Sequence, residues 1–383
     1  MAVIGVAGLG VMGLGIVQVY AAAGFDVVAT DAHEPTRASG LQRLREGLNR
    51  RISAEKMTED AAGALLARIR ICPDLAGLAT ADLVIEAIAE DLEAKRRLFA
   101  GLEDLVAASA LLASNTSSLQ IGQIGAGLRH PERLIGLHFF NPAPAMKLVE
   151  LVAPKAASFA ALSQARALTE AAGKTVVQCA DTPGFIVNRC ARPYYGEALA
   201  LLDEGRTAGE IDAAMRAAGY PLGPFALIDL IGADINLAAT RGLWQAMGKH
   251  PRYHVFPALE AQVAKGHLGR KSGKGFSVAE ALPPPPDAEA IVLRIEAALV
   301  NEAAFLTLEG GVAPPEIDTA MRLGLNFPRG PFAALHHWGR PRILATLADC
   351  AAKAPAALDG RYTPAPLLSD PGAEKGFPEK STY

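Results

Sequence analysis

The sequence lacks the patterns that identify several classes of protein. Its four cysteines, Cys72, Cys179, Cys190 and Cys350, are far apart and form no CxxC motif. This spacing argues against a disulfide framework or a zinc site and favours a reducing, cytoplasmic location. A net charge of -3 over 383 residues gives no basic surface for nucleic acid. We therefore expect no metal ion and no nucleic-acid partner.

Charged side chains are missing from residues 1–25, so this segment has to be considered as a signal peptide or a membrane span. No Lys or Arg precedes its apolar run, however, and glycines interrupt the run repeatedly. Half of the whole sequence is apolar and a fifth is charged, which is the balance of a soluble globular protein. We interpret the segment as a buried strand followed by a buried helix, and we predict no association with a membrane.

A glycine-rich turn lies between that predicted strand, residues 2–7, and that predicted helix, residues 14–23. The turn is Gly8-Leu9-Gly10-Val11-Met12-Gly13, which has the G-x-G-x-x-G spacing of dinucleotide-binding folds. Gly8 would permit the tight turn, Gly10 would let a pyrophosphate approach the backbone, and Gly13 would allow close packing of helix on strand. The position between strand and helix makes this signal much stronger than the glycine spacing alone.

Asp31 ends the second predicted strand, residues 27–30, about 20 residues after the turn. Its carboxylate would accept hydrogen bonds from a ribose hydroxyl and repel a 2′-phosphate. No arginine follows it before Arg37, so the sequence favours NAD over NADP. The next stretch, residues 35–70, is predicted as polar helix. Its cations are either solvated or meet a phosphate-bearing substrate, and the sequence leaves both alternatives open.

Polar side chains follow several predicted strands of this domain. Glu90, Asn115, Ser117 and His138 all fall at strand ends, where an open parallel sheet binds its ligands. A lone histidine in an apolar run is more often a satisfied core residue than a catalytic one. Here, however, the next apolar run contains Glu150. If the two runs lie side by side, the carboxylate can hold one imidazole tautomer and leave the other ring nitrogen to take a proton from a substrate.

The chain resembles the L-3-hydroxyacyl-CoA dehydrogenase family. The matching segments are residues 8–13, 82–87, 113–119, 136–150, 181–189, 219–225 and 268–276. The resemblance implies that His138 is the general base and that Glu150 supports it. It also implies that Ser117 and Asn188 contact the reacting oxygen or the thioester region. Ser117 could instead cap a helix, and Asn188 could only satisfy a turn.

The resemblance further implies which residues contact NAD outside the glycine-rich turn. These are Asp31, Glu90, Lys95, Asn115, Ser117, Asn141 and Lys271. Lys271 lies beyond the dinucleotide domain and would have to fold back to reach the cofactor.

An internal repeat lies in the second half of the chain. The pattern Glu-Ile-Asp-x-Ala-Met at residues 210–215 recurs at residues 316–321, and Gly-Pro-Phe at 223–225 recurs at 330–332, an offset of about 105 residues. We therefore predict a Rossmann-type domain over residues 1–182, followed by two tandem all-α domains, 183–281 and 287–353, and a tail over 354–383. The second copy has Leu293 in place of Asn188. Such a copy could take the place of a dimer partner, giving a monomer with an internal pseudo-dimer or a loose homodimer.

The function predicted from these features is NAD-dependent oxidation of (S)-3-hydroxyacyl-CoA to 3-ketoacyl-CoA, and its reverse, in fatty-acid or related acyl-CoA metabolism such as beta-oxidation. Two alternatives remain open. One is a dehydrogenase of a free hydroxy acid or sugar acid, similar to gulonate dehydrogenase. The other is a non-catalytic relative that keeps the fold, as some lens crystallins do.

Overall fold

The computed structural model describes residues 2–276 and 282–369. The chain forms two compact units, residues 1–182 and residues 183–383. The residues of both predicted helical copies lie in the second unit.

The first unit is built on an eight-stranded sheet. Its strands are β1 (Val3–Ala7), β2 (Asp26–Thr30), β3 (Ile69–Ile71), β4 (Leu83–Glu86), β5 (Leu111–Ser114), β6 (Leu134–Phe139), β7 (Leu148–Ala153) and β8 (Thr175–Ala180). Its helices are α1 (Val11–Ala22), α2 (Glu34–Ser53), α3 (Glu59–Ala67), α4 (Leu92–Leu105), α5 (Ile121–Ile124) and α6 (Phe159–Ala171). The strand order is β3-β2-β1-β4-β5-β6-β7-β8. Within the described residues every neighbouring pair is parallel except β6 and β7. This is a Rossmann-like sheet with an antiparallel addition.

Helix α1 is apolar on nearly all sides because it is enclosed rather than half exposed. Ile16, Val17 and Tyr20 are fully buried in the same core as Ile4 and Val6 of β1. A helix that is enclosed in this way needs no polar face. The uncharged N-terminal segment is therefore a strand and a helix of the domain core, as predicted. No helix of residues 2–276 and 282–369 is long and apolar enough to cross a membrane.

The polar helical stretch predicted over residues 35–70 forms two helices, and the prediction was wrong only at its end. Helices α2 and α3 are separated near Thr58, whose hydroxyl caps α3 by accepting from the amide of Ala61. The last residues form β3, which adds an edge to the sheet beside β2. The Ile-Arg-Ile sequence alternates apolar and polar residues, but three residues are too few for that period to be recognised without the sheet.

The second unit is helical. Its helices are α7 (Val187–Cys190), α8 (Arg192–Asp203), α9 (Ala208–Ala217), α10 (Pro224–Ile231), α11 (Ala233–Ala246), α12 (Pro257–Ala264), α13 (Ala288–Gly310), α14 (Pro314–Leu325), α15 (Pro331–Trp338), α16 (Arg340–Lys353) and α17 (Pro366–Ser369). Helices α7 and α8 are separated at Ala191. Pro193 causes this division, since proline lacks an N–H and is tolerated in the first turn of a helix but not inside it.

The sequence repeat has structural counterparts in this unit. Asp212 of α9 accepts hydrogen bonds from the amides of Phe225 and Ala226 at the start of α10. Asp318 of α14 accepts from the amides of the corresponding residues at the start of α15, Phe332 and Ala333. Each carboxylate thus satisfies N–H groups that a helix leaves unpaired at its first turn. The same local structure therefore occurs in both halves of the unit.

The described part of the predicted tail ends in α17, with Tyr362 and Leu368 buried. Residues 370–383 lie outside the described residues.

Candidate active site

The glycine-rich turn has the geometry that its three glycines predict. Gly8 has a φ of 104°, and a Cβ there would lie 2.4 Å from the carbonyl oxygen of Ala87. A Cβ on Gly13 would lie 1.8 Å from the carbonyl oxygen of Gly8, so helix and turn are in direct contact. At Gly10, by contrast, no heavy atom lies within 4 Å of an added Cβ. The backbone is therefore closed behind the turn and open at Gly10, where a phosphate would approach.

Helix α1 begins directly after Gly10. No acidic residue stands in its first turn, and no side chain caps it. The N-terminus of such a helix attracts anions through its unpaired N–H groups and its dipole. Together with the open backbone at Gly10, this end of α1 fits the pyrophosphate of a dinucleotide.

Asp31 is held in place by the backbone. Its carboxylate accepts hydrogen bonds from the amide of Leu9 (2.7 Å) and from the amide of His33 (2.8 Å). Arg37, the nearest following arginine, donates to the backbone carbonyl of Asp31. Arg43 likewise donates to two backbone carbonyls, those of Leu9 and Thr36. In the structure Arg43 thus braces the glycine-rich turn, a role that the sequence did not predict.

A cleft of about 690 Å³ lies along the carboxyl ends of the strands in the first unit. Eight of the residues predicted to bind the cofactor or substrate line this cleft. They are Gly10, Val11, Met12, Asp31, Glu90, Lys95, Asn115 and Ser117. Gly8, Leu9 and Gly13 are buried behind the turn and support it. The shape and the donor set of this cleft fit NAD.

The residues that line the cleft include a buried lysine, Lys95. Lys95 donates to Glu86 at 2.5 Å and pairs with Glu90 at 3.2 Å, and both Lys95 and Glu86 are at most 1% exposed. Glu86 also accepts from the hydroxyl of Ser114 and from the amide of Ile88. Sequence reasoning gave Glu86 no role. The signal was there, however, because a glutamate inside an apolar strand needs a partner for its charge.

Glu90 also belongs to this wall. It accepts hydrogen bonds from the hydroxyls of Thr116 (2.5 Å) and Ser118 (2.7 Å). Burial acts to raise the pKa of Glu90, but these hydrogen bonds and the charge of Lys95 outweigh it and lower the pKa. Glu90 is therefore a carboxylate, and it fixes the loop that follows β5.

His138 and Glu150 lie together, as the two apolar runs predicted. They face each other in the antiparallel pair of β6 and β7. Nδ1 of His138 lies 2.6 Å from Oε2 of Glu150, and both side chains are buried. Because a carboxylate only accepts, this contact places a proton on Nδ1, and Nε2 is the ring nitrogen that does not face Glu150. The ring of Phe140 packs against the imidazole, with centroids 4.5 Å apart.

One hydrogen bond joins the end of β6 to the loop after β5. The amide of Phe139 donates to Oδ1 of Asn115 at 2.9 Å. Ser117, two residues farther on, is exposed on the wall of the cleft. The N-cap residue of α5 is Gln120, three residues after Ser117, so the alternative that Ser117 caps this helix is not supported.

The remaining predicted site residues lie elsewhere. Asn141 is exposed in the turn after β6 and is joined to Pro142 by a cis peptide bond. Lys174 holds this turn by donating to the carbonyls of Ala143 and Met146. Asn188 lies on α7 of the helical unit, where its carbonyl accepts from Arg192. Lys271, also in the helical unit, forms an ion pair with Asp234 at 2.6 Å.

No group of histidine, cysteine or acidic residues suited to a metal ion was found in the described part of the chain. The four cysteines are buried and form no disulfide.

Comparison with known proteins assigns both units. A model described as the NAD binding domain of 3-hydroxyacyl-CoA dehydrogenase matches residues 3–182. The model for the C-terminal domain of the same enzyme matches residues 184–279 and again residues 291–382. The chain belongs to the 3-hydroxyacyl-CoA dehydrogenase family. As a member of this family it is an NAD-dependent oxidoreductase.

Individual members of the 3-hydroxyacyl-CoA dehydrogenase family are similar to different shares of this chain. A 3-hydroxyadipyl-CoA dehydrogenase of Escherichia coli is 45% identical over 276 residues, which cover 71% of this chain and 58% of that protein. A probable 3-hydroxybutyryl-CoA dehydrogenase of Bacillus subtilis is 42% identical over 273 residues, 71% of this chain and 95% of that protein. A crystal structure of 3-hydroxybutyryl-CoA dehydrogenase from Escherichia coli matches 98% of both chains, with 32% identity and a TM-score of 0.91.

Proposed function

We propose that the protein oxidises (S)-3-hydroxyacyl-CoA to 3-ketoacyl-CoA with NAD, and catalyses the reverse reduction. The observation that supports this most directly is the buried His138–Glu150 pair on the sheet that also forms the cofactor cleft. The names of the similar proteins place their substrates among 3-hydroxyacyl-CoA esters. A role in fatty-acid or related acyl-CoA metabolism, such as beta-oxidation, and a cytoplasmic location remain predictions from the sequence.

The proposed catalytic base is Nε2 of His138. Oxidation of a secondary alcohol requires removal of the hydroxyl proton, which a neutral imidazole can accept. Glu150 holds the proton on Nδ1 and stabilises the imidazolium once Nε2 is protonated, as a buried carboxylate does in hydrolase triads. In the reverse direction the imidazolium returns its proton to the carbonyl oxygen. NAD, when bound, accepts the hydride or, in its reduced form, supplies it.

Ser117 and Asn188 would contact the reacting oxygen. A serine hydroxyl and an asparagine amide can both donate hydrogen bonds, and donors at this oxygen stabilise the charge that develops on it. Ser117 is exposed on the cleft wall, which suits contact with a ligand.

NAD binding is proposed for the turn over Gly8–Gly13 and for Asp31, whose carboxylate would accept from a ribose hydroxyl. Glu90, Lys95 and Asn115 would line the nicotinamide end of the cleft, and Asn141 and Lys271 are further proposed contacts. Among these, Lys271 has a competing partner in its own unit, Asp234.

Two buried clusters of charge support a monomer with an internal pseudo-dimer. We define the Glu302 cluster as Glu302, Glu309, Arg189, Arg252 and Tyr253, and the Glu197 cluster as Glu197, Glu204, Arg294, Arg361 and Tyr362. In the first, glutamates of α13 pair with arginines of the first helical half. In the second, glutamates of the first half pair with arginines of the second.

In the Glu302 cluster the second half provides the glutamates and the first half the arginines, and in the Glu197 cluster these contributions are reversed. The two sides of a two-fold interface are related in the same way. Tyr253 donates to Glu302 at 2.6 Å, and Tyr362 donates to Glu197 at 3.1 Å. We therefore propose that the two halves are related by duplication and that the second half occupies the place of a second subunit. Light scattering should give the mass of one chain; a stable dimer would contradict this proposal.

One experiment tests the proposed reaction and separates it from the alternatives. The protein is assayed with NAD and either 3-hydroxybutyryl-CoA or free 3-hydroxybutyrate, alongside a His138→Ala variant. We expect activity on the CoA ester alone and a loss of roughly 10²- to 10⁴-fold in the variant. Activity on the free acid alone would select the hydroxy-acid alternative. A variant as active as the parent would remove His138 as the base.

A further inference from the structure

Asn188, the proposed substrate contact of the helical unit, lies on a very short helix. Helix α7 has four residues, so its own backbone hydrogen bonds hold it weakly. It follows Gly184 and Phe185, with φ values of 77° and 48°, in a region that side chains other than glycine rarely adopt. The contacts that anchor the neighbours of Asn188 therefore contribute to its position.

The strongest anchor is the residue directly after it. Arg189 is 1% exposed, and its guanidinium donates to Glu302 at 2.7 Å and to Glu309 at 2.5 Å. Both glutamates come from α13, in the other helical half. Charge-assisted hydrogen bonds of this kind are stronger and more directional than neutral ones. The end of α7 is thus fixed by a helix more than a hundred residues away in the sequence.

The second half provides an internal comparison. There Arg294 pairs with Glu197 and Glu204, as Arg189 does with Glu302 and Glu309. The residue before Arg294 is Leu293, which corresponds to Asn188 of the first half. Leu293 and Arg294 both belong to the 23-residue helix α13. The same kind of ion pair therefore anchors a side chain that contacts no substrate in the proposed function.

We infer that Glu302 is a positioning residue: through Arg189 it holds α7 so that Asn188 meets the acyl-CoA substrate. This inference rests on the proposed function, in which Asn188 contacts the substrate. The second helical half then has a part in substrate binding although it lacks the asparagine itself.

The test compares Glu302→Gln with Glu197→Gln in the full-length protein. Both variants remove one buried carboxylate charge from an arginine, but only the first acts beside Asn188. We expect Glu302→Gln to lower kcat/KM for 3-hydroxybutyryl-CoA about tenfold or more, mainly through kcat, with an unchanged Kd for NADH. Glu197→Gln should leave kcat/KM unchanged. Equal kinetic effects in the two variants would overturn the inference.

A double variant separates positioning from general damage. In an Asn188→Ala background, Glu302→Gln should have little further effect on kcat/KM, because the side chain that it positions is gone. Full additivity of the two changes would contradict the inference. If Asn188→Ala alone has parental kinetics, the proposed role of Asn188 fails, and with it the basis of the inference. If Asn188→Ala is impaired but Glu302→Gln is not, the inference alone fails.

Glu309→Gln covers the case in which Glu302→Gln does not fold. Glu309 contacts the same arginine but is 42% exposed, so its loss disturbs the core less. We expect a decrease in kcat of the same kind but smaller size. A folded Glu309→Gln variant with parental kcat would count against the inference.

Discussion

The two units both bury glutamates completely, but the partners of these glutamates differ. In the first unit Glu86 and Glu150 pair with a lysine and a histidine, side chains that belong to the proposed site. In the second unit Glu197 and Glu302 pair with arginines and tyrosines that belong to the helix core. Arginine stays charged at all ordinary pH values, whereas histidine exchanges its proton near neutrality. A buried carboxylate therefore indicates acid–base chemistry or architecture according to its partner.

The sharpest test of this difference is Glu150→Gln. Loss of the carboxylate charge should lower the oxidation rate by roughly 10²-fold or more, because the imidazolium loses its support, while the Kd for NAD stays close to that of the parent. The exposed pair His130–Glu132 provides the control, since Glu132→Gln should leave the oxidation rate unchanged.

Glu302→Ala should give the largest change in stability. Removing one partner of a buried ion pair leaves a buried charge uncompensated, so the free energy of unfolding should fall by about 3–5 kcal/mol. Both tryptophans, Trp244 and Trp338, belong to the helical unit, so intrinsic fluorescence follows this unit during urea denaturation. Asp349→Ala, which breaks an exposed pair with Lys353, should cost less than about 1 kcal/mol. Similar losses in the two variants would erase the distinction between buried and exposed pairs.

Asp31→Ala should affect cofactor affinity rather than the core. The variant loses the carboxylate that would bind the ribose and that orders the amides of Leu9 and His33. Hydrogen bonds to charged groups contribute about 1.5–3 kcal/mol, so the Kd for NADH should rise about 10- to 100-fold. Fluorescence titration with NADH and NADPH measures both affinities. An unchanged preference for NADH over NADPH would show that Asp31 does not select the cofactor.

The smallest effect is expected for the paired aspartates of the two helical halves. Burial raises the pKa of Asp212 and of Asp318 from 3.8 to about 6, against the lowering effect of their backbone hydrogen bonds. Between those pH values the folded state binds more protons than the unfolded state. Each group should therefore lower the free energy of unfolding by about 1–2 kcal/mol as the pH rises from 4 to 6.

The Asp318→Asn variant should lose the contribution of Asp318 to this decrease in the free energy of unfolding with pH. The measurement is the difference in unfolding free energy between the parent and the variant, followed by tryptophan fluorescence across that pH range. A difference that does not change with pH would mean that Asp318 ionises alike in the folded and unfolded chain.

The parts of the fold that local spacing encodes could be predicted from the sequence. The glycine-rich turn and its flanking strand and helix follow from residues within one short segment. The pairing of His138 with Glu150 was also predictable, because the turn between the two strands brings them together over 12 residues. Strand β3 was missed because it is defined by its neighbour β2 rather than by its own three residues.

Long-range ion pairs could not be predicted in this way. Nothing in the local sequence around Arg189 indicates that Glu302 is its partner. One signal existed, the dipeptide Arg-Tyr, which occurs at residues 252–253 and again at 361–362. The second occurrence lies in the predicted tail, and its role became visible when Arg361 was found beside Glu197. Glu86 was likewise part of a matching segment, but its partner Lys95 is defined by the fold of the cleft.

The Glu302 and Glu197 clusters belong to one polypeptide, and this has an evolutionary consequence. In an assembly of identical subunits every mutation appears on both sides of the interface at once. Under the proposed duplication, a mutation in this chain changes one side alone, so selection can act on each side separately. The two halves have leucine at position 293 and asparagine at the corresponding position 188. Two identical subunits could not differ in this way.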